Sequence, residues 1–152
     1  DEAESLKQEA ANYPVVSLSN RQLCDLELLM NGAYSPLRGF MDEQTYQAVR
    51  DDMRLPDGTL WPMPVVFDIG ESFVEKHGIA PGSHIALQDG EGFMLAVLDV
   101  QSVWAPDKNA EALAVYGTDS KDHPGVRYLL DKTAAIYVGG TVRGIQLPES
   151  YV

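Results

Sequence analysis

The hydrophobic pattern of this chain changes character at Trp61, and that change limits the fold more than any other feature. Upstream, apolar residues fall at helical spacing. Leu23, Cys24, Leu26, Leu28, Leu29 and Met30 follow Ser19, and a second helical stretch runs from about Asp42 to Asp52. Downstream, the apolar runs are short and bounded by turn residues, which is the signature of strands. Helices followed by short strands predict an α+β fold: a small, partly closed β-barrel of mainly antiparallel strands with N-terminal and peripheral helices.

Local signals set the expected elements. Residues 2–12 read as a polar helix broken by Tyr13-Pro14, and 15–18 as a short strand. Ser19 and Gln22 have capping-box spacing, so each can satisfy a backbone N–H at a helix start. The six apolar positions that follow surround most of that helix, so it is expected to be buried on several sides, with Cys24 as a small core side chain. Asn31-Gly32 ends it, since glycine readily takes the left-handed conformation beyond a helix. Residues 35–40 read as a loop, and Asp42 as the cap of the next helix. Pro56-Asp57-Gly58-Thr59 is a turn.

Beyond Trp61 the sequence predicts a strand over 63–69, a helix over Glu71–His77 closed by Gly78, and a strand over His84–Gln88. Asp89-Gly90-Glu91-Gly92 turns the chain into 93–103, a hairpin signal. Residues 107–116 and 123–131 read as short helices. A last strand pair, 134–138 and 142–147, is joined around Gly139-Gly140, read as turn glycines. There is no internal repeat and no dividing linker, so 1–152 is expected to be a single domain.

Charge narrows the function classes. Eleven Lys and Arg against 23 Asp and Glu give a net charge of −12. Nucleic-acid binding draws most of its affinity from cations that neutralise phosphates. Here the cations are scattered, so nucleic acid is not an expected partner, and no apolar run approaches the ~20 residues that span a bilayer, so no membrane partner is expected either. The lone Cys24 permits no internal disulfide and suits a reducing, cytoplasmic setting. The first ten residues lack a signal peptide's basic and apolar regions, and Asp1 is not a natural initiator, so trimming upstream is expected.

No constellation carries chemistry. His77, His84 and His123 are isolated from one another and from Cys24, so no zinc site is expected. There is no G-x-S-x-G nucleophile elbow and no G-x-x-x-x-G-K-[ST] phosphate loop. The expected catalytic, cofactor-binding and metal residues are therefore none. The segment N-G-A-Y-S-P-L-R-G-F is the candidate functional feature: a loop between two helices that can dock another domain or simply connect.

Several motifs together resemble one family. They are R-Q-L-C-D-L-E-L-L-M-N-G from Arg21, S-P-L-R-G-F-M from Ser35, R-L-P-D-G-T-L-W-P-M-P from Arg54, I-A-L-Q-D from Ile85, D-H-P-G-V from Asp122 and Y-V-G-G-T-V-R-G-I-Q-L-P from Tyr137. In order and spacing they resemble the N-terminal region of the ATP sulfurylases (sulfate adenylyltransferases), from about Pro14 onward. Two departures stand out: Asn31-Gly32-Ala33-Tyr34 replaces the family's usual Asn-Gly-Gly-Phe, and Ser150 precedes Tyr151 where a His is common.

The resemblance implies a PUA-like pseudo-barrel that ends about where the family's catalytic domain begins. The family makes adenosine 5′-phosphosulfate and pyrophosphate from ATP and sulfate, and its Q-x-R-N-P-x-H-x-x-H and G-R-D-H type motifs are absent here. No catalytic residue carries over. ATP, and magnesium with it, would be used by the parent and not by this chain. The implied partners are the parent's catalytic domain, further copies in a homo-oligomer, and an adenylylsulfate kinase domain where the parent has one. The implied domain interface is Asn31, Gly32, Ser35, Pro36, Leu37, Arg38, Gly39 and Phe40, with Gly139 and Gly140 of the terminal strand pair.

Overall fold

A computed structural model describes residues 2–147. They divide into two compact units. The first holds 2–40, 79–101 and 140–147, and the second holds 41–78 and 102–139.

In the first unit, α1 (Glu2–Ala10) is followed by β1 (Val15–Ser17) and α2 (Asn20–Met30). The expected capping box is present: the Gln22 amide donates to Ser19 Oγ at 3.2 Å, and the Ser19 amide donates to Gln22 Oε1 at 3.0 Å. Such a cap contributes about 1 kcal/mol. The helix buries a single stripe rather than several sides: Gln22, Leu26 and Leu29, at i, i+4 and i+7, are its buried residues. Cys24 lies off that stripe and is exposed, which corrects its expected place in the core.

The strand order is β1–β4–β5–β6–β2, so β1 and β2 are edges and the sheet is open. β4 (His84–Gln88) runs parallel to β1 and antiparallel to β5 (Met94–Trp104). The turn between β4 and β5 is tied by Asp89, whose Oδ1 accepts from the Glu91 and Phe93 amides at 3.0 and 2.9 Å. Ala10, Ala86 and Val97 are fully buried together, with Leu6, Tyr13, Met94 and Ile145 packed around them.

The expected turn at Gly139-Gly140 is instead the middle of one continuous strand, β6 (Ile136–Gly144). The physical reason is clearance: in this unit a Cβ at Gly140 would collide with the Asp99 carbonyl. The glycine is there to let two backbones approach, not to reverse the chain. The expected loop 35–40 likewise ends in a strand. β2 (Gly39–Phe40) pairs antiparallel with β6 at Thr141 and Gly140, and a Cβ on Gly39 would strike the Gly140 carbonyl.

The second unit contains α3 (Glu43–Asp52), β3 (Phe67–Ile69), α4 (Glu71–His77), α5 (Lys108–Tyr116) and α6 (Pro124–Asp131). Asp42 and Asp107 cap α3 and α5 by accepting from Thr45 and Ala110 amides at 2.8 and 3.0 Å. His123 caps α6 in the same way, its Nδ1 accepting from Gly125 at 3.0 Å. Gly78 ends α4 at φ +59°, as expected.

The strand expected over 63–69 begins only at Phe67. Pro62 and Pro64 have no N–H to give a ladder. Val65 bonds elsewhere: its carbonyl accepts from the Met41 amide at 2.9 Å, and its amide meets Met41 Sδ at 3.4 Å. β3 then pairs antiparallel with residues 136–138 of β6. A satellite core of Ala112, Val126 and Leu129 joins α5 to α6. β1–β4 is a parallel pair and β2–β6, β3–β6 and β4–β5 are antiparallel, so an α+β architecture with a mixed, mainly antiparallel sheet is observed. Among the described residues no helix is long and apolar enough to cross a membrane.

Candidate functional site

The segment 31–40 is held by its own short bonds. Asn31 ends α2, and Gly32 takes the left-handed conformation at φ +85°. Asn31 Oδ1 accepts from the Ala33 amide at 2.8 Å, an Asx turn. The Tyr34 amide donates to the Leu28 carbonyl at 3.1 Å, the Ser35 amide to Gly32 at 3.0 Å and the Leu37 amide to Tyr34 at 2.9 Å. The Ser35-Pro36 peptide is cis. Arg38 is then fastened to β6, its carbonyl accepting from the Val142 amide at 3.0 Å.

These bonds bring part of the sequence-predicted interface into one place. Leu37 and Arg38 line a cleft of about 380 Å³ with Leu29 and Met30 of α2 and Thr141, Val142 and Gly144 of β6. The loop and the C-terminal half of β6 thus line one cleft through Leu37, Arg38, Thr141 and Val142, while Gly140 meets the segment through its pairing with Phe40. Asn31, Gly32, Ser35, Pro36 and Arg38 are exposed, and Leu37 is half-buried. Gly39, Phe40 and Gly140 are buried and act in packing. Gly139 belongs to the second unit, where a Cβ would collide with the Met41 carbonyl. Ser150 and Tyr151 lie outside the described residues.

The cleft is chemically simple. Four aliphatic or thioether side chains, one hydroxyl and one exposed guanidinium can hold a protein segment. Among them no nucleophile stands beside a base.

Next to it a second cleft, of about 750 Å³, is lined by Glu2, Ser5, Leu6, Glu9, Arg143 and Gly144. Its one cation is already engaged. Arg143 donates from Nε to Asp99 Oδ2 at 2.7 Å, and from Nη2 to Asp99 Oδ1 at 2.9 Å and Glu9 Oε2 at 2.7 Å. Tyr13 Oη also donates to Glu9 Oε2, at 2.6 Å. The Arg143 guanidinium, and then the Tyr13 phenol, hold the Glu9 carboxyl down at about 2. The Glu9 and Asp99 carboxylates in turn raise Arg143 above its ordinary value. His84 Nδ1 lies 2.7 Å from Asp99 Oδ1, and its ring stacks on Tyr13 with centroids 4.8 Å apart. This network fastens α1 to the sheet.

The second unit contains a polar feature that the sequence analysis missed. Glu111 is 6% exposed, and its Oε1 accepts from Tyr46 Oη at 2.6 Å and Tyr137 Oη at 2.9 Å. Burial, then the adjacent Glu111 charge, pushes both phenols far above their ordinary range. Trp104 packs on both tyrosine rings, with centroids 5.5 and 5.9 Å away. The signal was a lone Glu set between Ala110 and Ala112 in an apolar helix. Sequence alone names no partners for it, because Tyr46 and Tyr137 lie 65 and 26 residues away. Lys108 makes a further tie, donating from Nζ to Thr133 Oγ1 and the Ala134 carbonyl, both at 2.7 Å. Desolvation lowers its pKa.

The histidines remain apart in role: His77 packs on Phe73, His84 pairs with Asp99 and His123 caps α6. Among the described residues no group of three or more His, Cys, Asp or Glu side chains could hold a metal ion.

Comparison with known proteins agrees with the fold. A family model described as a PUA-like domain matches residues 1–147. The sulfate adenylyltransferase of Mycosarcoma maydis is 44% identical over 150 residues, 98% of this chain and 26% of that protein. The sulfate adenylyltransferase of Saccharomyces cerevisiae is 42% identical over 143 residues, 94% of this chain and 27% of that protein. A solved structure of a hexameric APS kinase from Thiobacillus denitrificans superposes with a TM-score of 0.71 at 33% identity, covering 98% of this chain and 24% of that one. The chain therefore spans about a quarter of the length of the relatives it matches. With a matching model that runs from residue 1 to residue 147, this chain belongs to the PUA-like domain family.

Proposed function

We propose that this chain is the non-catalytic N-terminal domain of a sulfate adenylyltransferase, and that it docks onto the rest of that protein through the Leu37–Arg38 cleft. The observation that carries the reading is identity above 40%, over nearly the whole chain, to only a quarter of such enzymes. The motifs expected to do the chemistry are missing from these 152 residues. The parent would join ATP and sulfate to give adenosine 5′-phosphosulfate and pyrophosphate in a cytoplasmic sulfur-activating pathway. ATP and magnesium would bind outside this chain. A homo-oligomeric parent, and an adenylylsulfate kinase domain within it, fit the likeness to a hexameric APS kinase.

Sulfate-dependent ATP–pyrophosphate exchange tests this, measured on the 152-residue chain and on the longer protein. Exchange in the longer protein alone supports the reading; exchange in the short chain overturns it. Within the longer protein, Arg38→Glu probes the cleft. Its guanidinium is exposed, and its tie to β6 is through its backbone, so the domain keeps its fold while docking weakens. Gly39 cannot serve as such a probe, because any side chain there collides with Gly140 inside the domain itself.

A further inference from the structure

The cleft beside Leu37 and Arg38 is apolar apart from one charge. Leu29, Met30, Leu37 and Val142 supply its hydrocarbon and thioether walls, and Thr141 adds a hydroxyl. Met30 lies against Gly144 in the same cleft, its Cε 2.7 Å from where a Cβ on that glycine would stand. The charge is the exposed guanidinium of Arg38. The backbone fixes its place: the Leu37 amide donates to Tyr34 at 2.9 Å, and the Arg38 carbonyl accepts from Val142 at 3.0 Å. A fixed support lowers the ordering cost of binding.

That charge is not balanced within the chain. There are 23 Asp and Glu, and other cations are matched to them: Arg143 to Glu9 and Asp99, Arg50 to Asp51, and Lys121 to Asp131. Among the described residues the Arg38 guanidinium makes no hydrogen bond or ion pair. In water it needs none. A partner that covers the apolar walls also strips water from Arg38, and a guanidinium buried without a counter-charge is strongly unfavourable. Whatever fills this cleft must therefore bring an anion as well as apolar surface. A carboxylate matches the planar guanidinium with two parallel hydrogen bonds. A small free anion fits poorly, because the cleft offers it no second charge and a single side-chain hydroxyl. Apolar walls that include Met, with Arg beside them, have the make-up of a protein interface.

We infer that the cleft takes a polypeptide segment in which an Asp or Glu stands beside an apolar side chain, the carboxylate on Arg38 and the apolar group on Leu29, Met30 and Val142. This rests on the reading given under Proposed function, under which the segment lies beyond residue 152 of the same polypeptide.

Arg38→Lys in the longer protein keeps the positive charge and supplies an amine. A water-soluble carbodiimide joins such an amine to a touching carboxylate as an amide, and leaves as a urea that carries the lost oxygen. Mass spectrometry of the digest then names the carboxylate. Lys121, 2.7 Å from Asp131, is the internal standard for linkage. The expected product joins position 38 to an Asp or Glu beyond residue 152. Charge reversal is the second measurement. Arg38→Glu should speed proteolysis of the junction after residue 152 by about tenfold, and changing the mapped carboxylate to Arg in the same protein should restore the slow rate.

A Lys121–Asp131 link with position 38 unlinked, or linked only within 1–152, overturns the inference. So does a link between differently isotope-labelled copies, which assigns the cleft to a second copy. An Arg38→Glu protein cut no faster than the unsubstituted one overturns it too, as does a double reversal that restores nothing. Exchange activity of the unsubstituted longer protein separates the two failures. An exchange-active protein with position 38 unlinked sinks the contact and leaves the function standing. Absent exchange sinks the function, while a link beyond residue 152 still upholds the contact.

Discussion

Removing the Tyr137 hydroxyl is the most incisive test of the buried carboxylate. In Tyr137→Phe the ring and its packing on Tyr46 and Trp104 remain, and only the donor at 2.9 Å from Glu111 Oε1 is lost. A hydrogen bond to a charged group contributes about 1.5–3 kcal/mol, and a 6% exposed carboxylate has little water to replace it. A loss of about 2 kcal/mol is expected, or a fall in Tm of about 4–8 °C for a chain of this length. Urea denaturation followed by tryptophan fluorescence reads it directly, since Trp104 sits in the cluster. Tyr116→Phe is the control: Tyr116 contacts His123 through its ring, and the change should stay within about 0.5 kcal/mol. Because Tyr46 and Tyr137 share one acceptor oxygen, the double Phe variant should depart from the sum of the singles. A Tyr137→Phe protein as stable as the parent, with an additive double variant, would refute a charged Glu111 that depends on both phenols.

Two further outcomes follow from the first unit. Glu9 has a folded-state pKa of about 2 against an ordinary 4.5, so its contribution is complete above pH 4.5 and is lost as pH falls from 4.5 through 2. Carboxyl NMR should find Glu9 titrating near 2, and Arg143→Gln should return it towards 4.5; a Glu9 midpoint unmoved by that change would remove Arg143 as the cause. Gly140→Ala forces a methyl group into the Asp99 carbonyl and should destabilise by about 1–3 kcal/mol, whereas Gly90→Ala meets open space and should be neutral or slightly stabilising. Equal melting temperatures for the two alanine variants would contradict the close backbone approach.

The sequence by itself determined what depends on neighbours a few residues apart. The Ser19–Gln22 box, the Asp42 cap, the stops at Gly32 and Gly78, and the Asp89 turn are local hydrogen-bond or conformational demands, and each is met in place. The order of motifs also sufficed for the family, which a match over 1–147 supports. Tertiary structure decided what depends on distant partners. Gly140 reads as a turn until Asp99 is known to press against it, and 63–66 read as strand until Val65 is seen bonding to Met41. Cys24 and Leu26 are equally apolar in the sequence, but only packing shows which face of α2 turns inward. The cleft beside Leu37 and Arg38 was legible in part. Leu37 and Arg38 were named from their loop, while Thr141 and Val142 joined them only through a strand pairing across about a hundred residues, which no local pattern encodes.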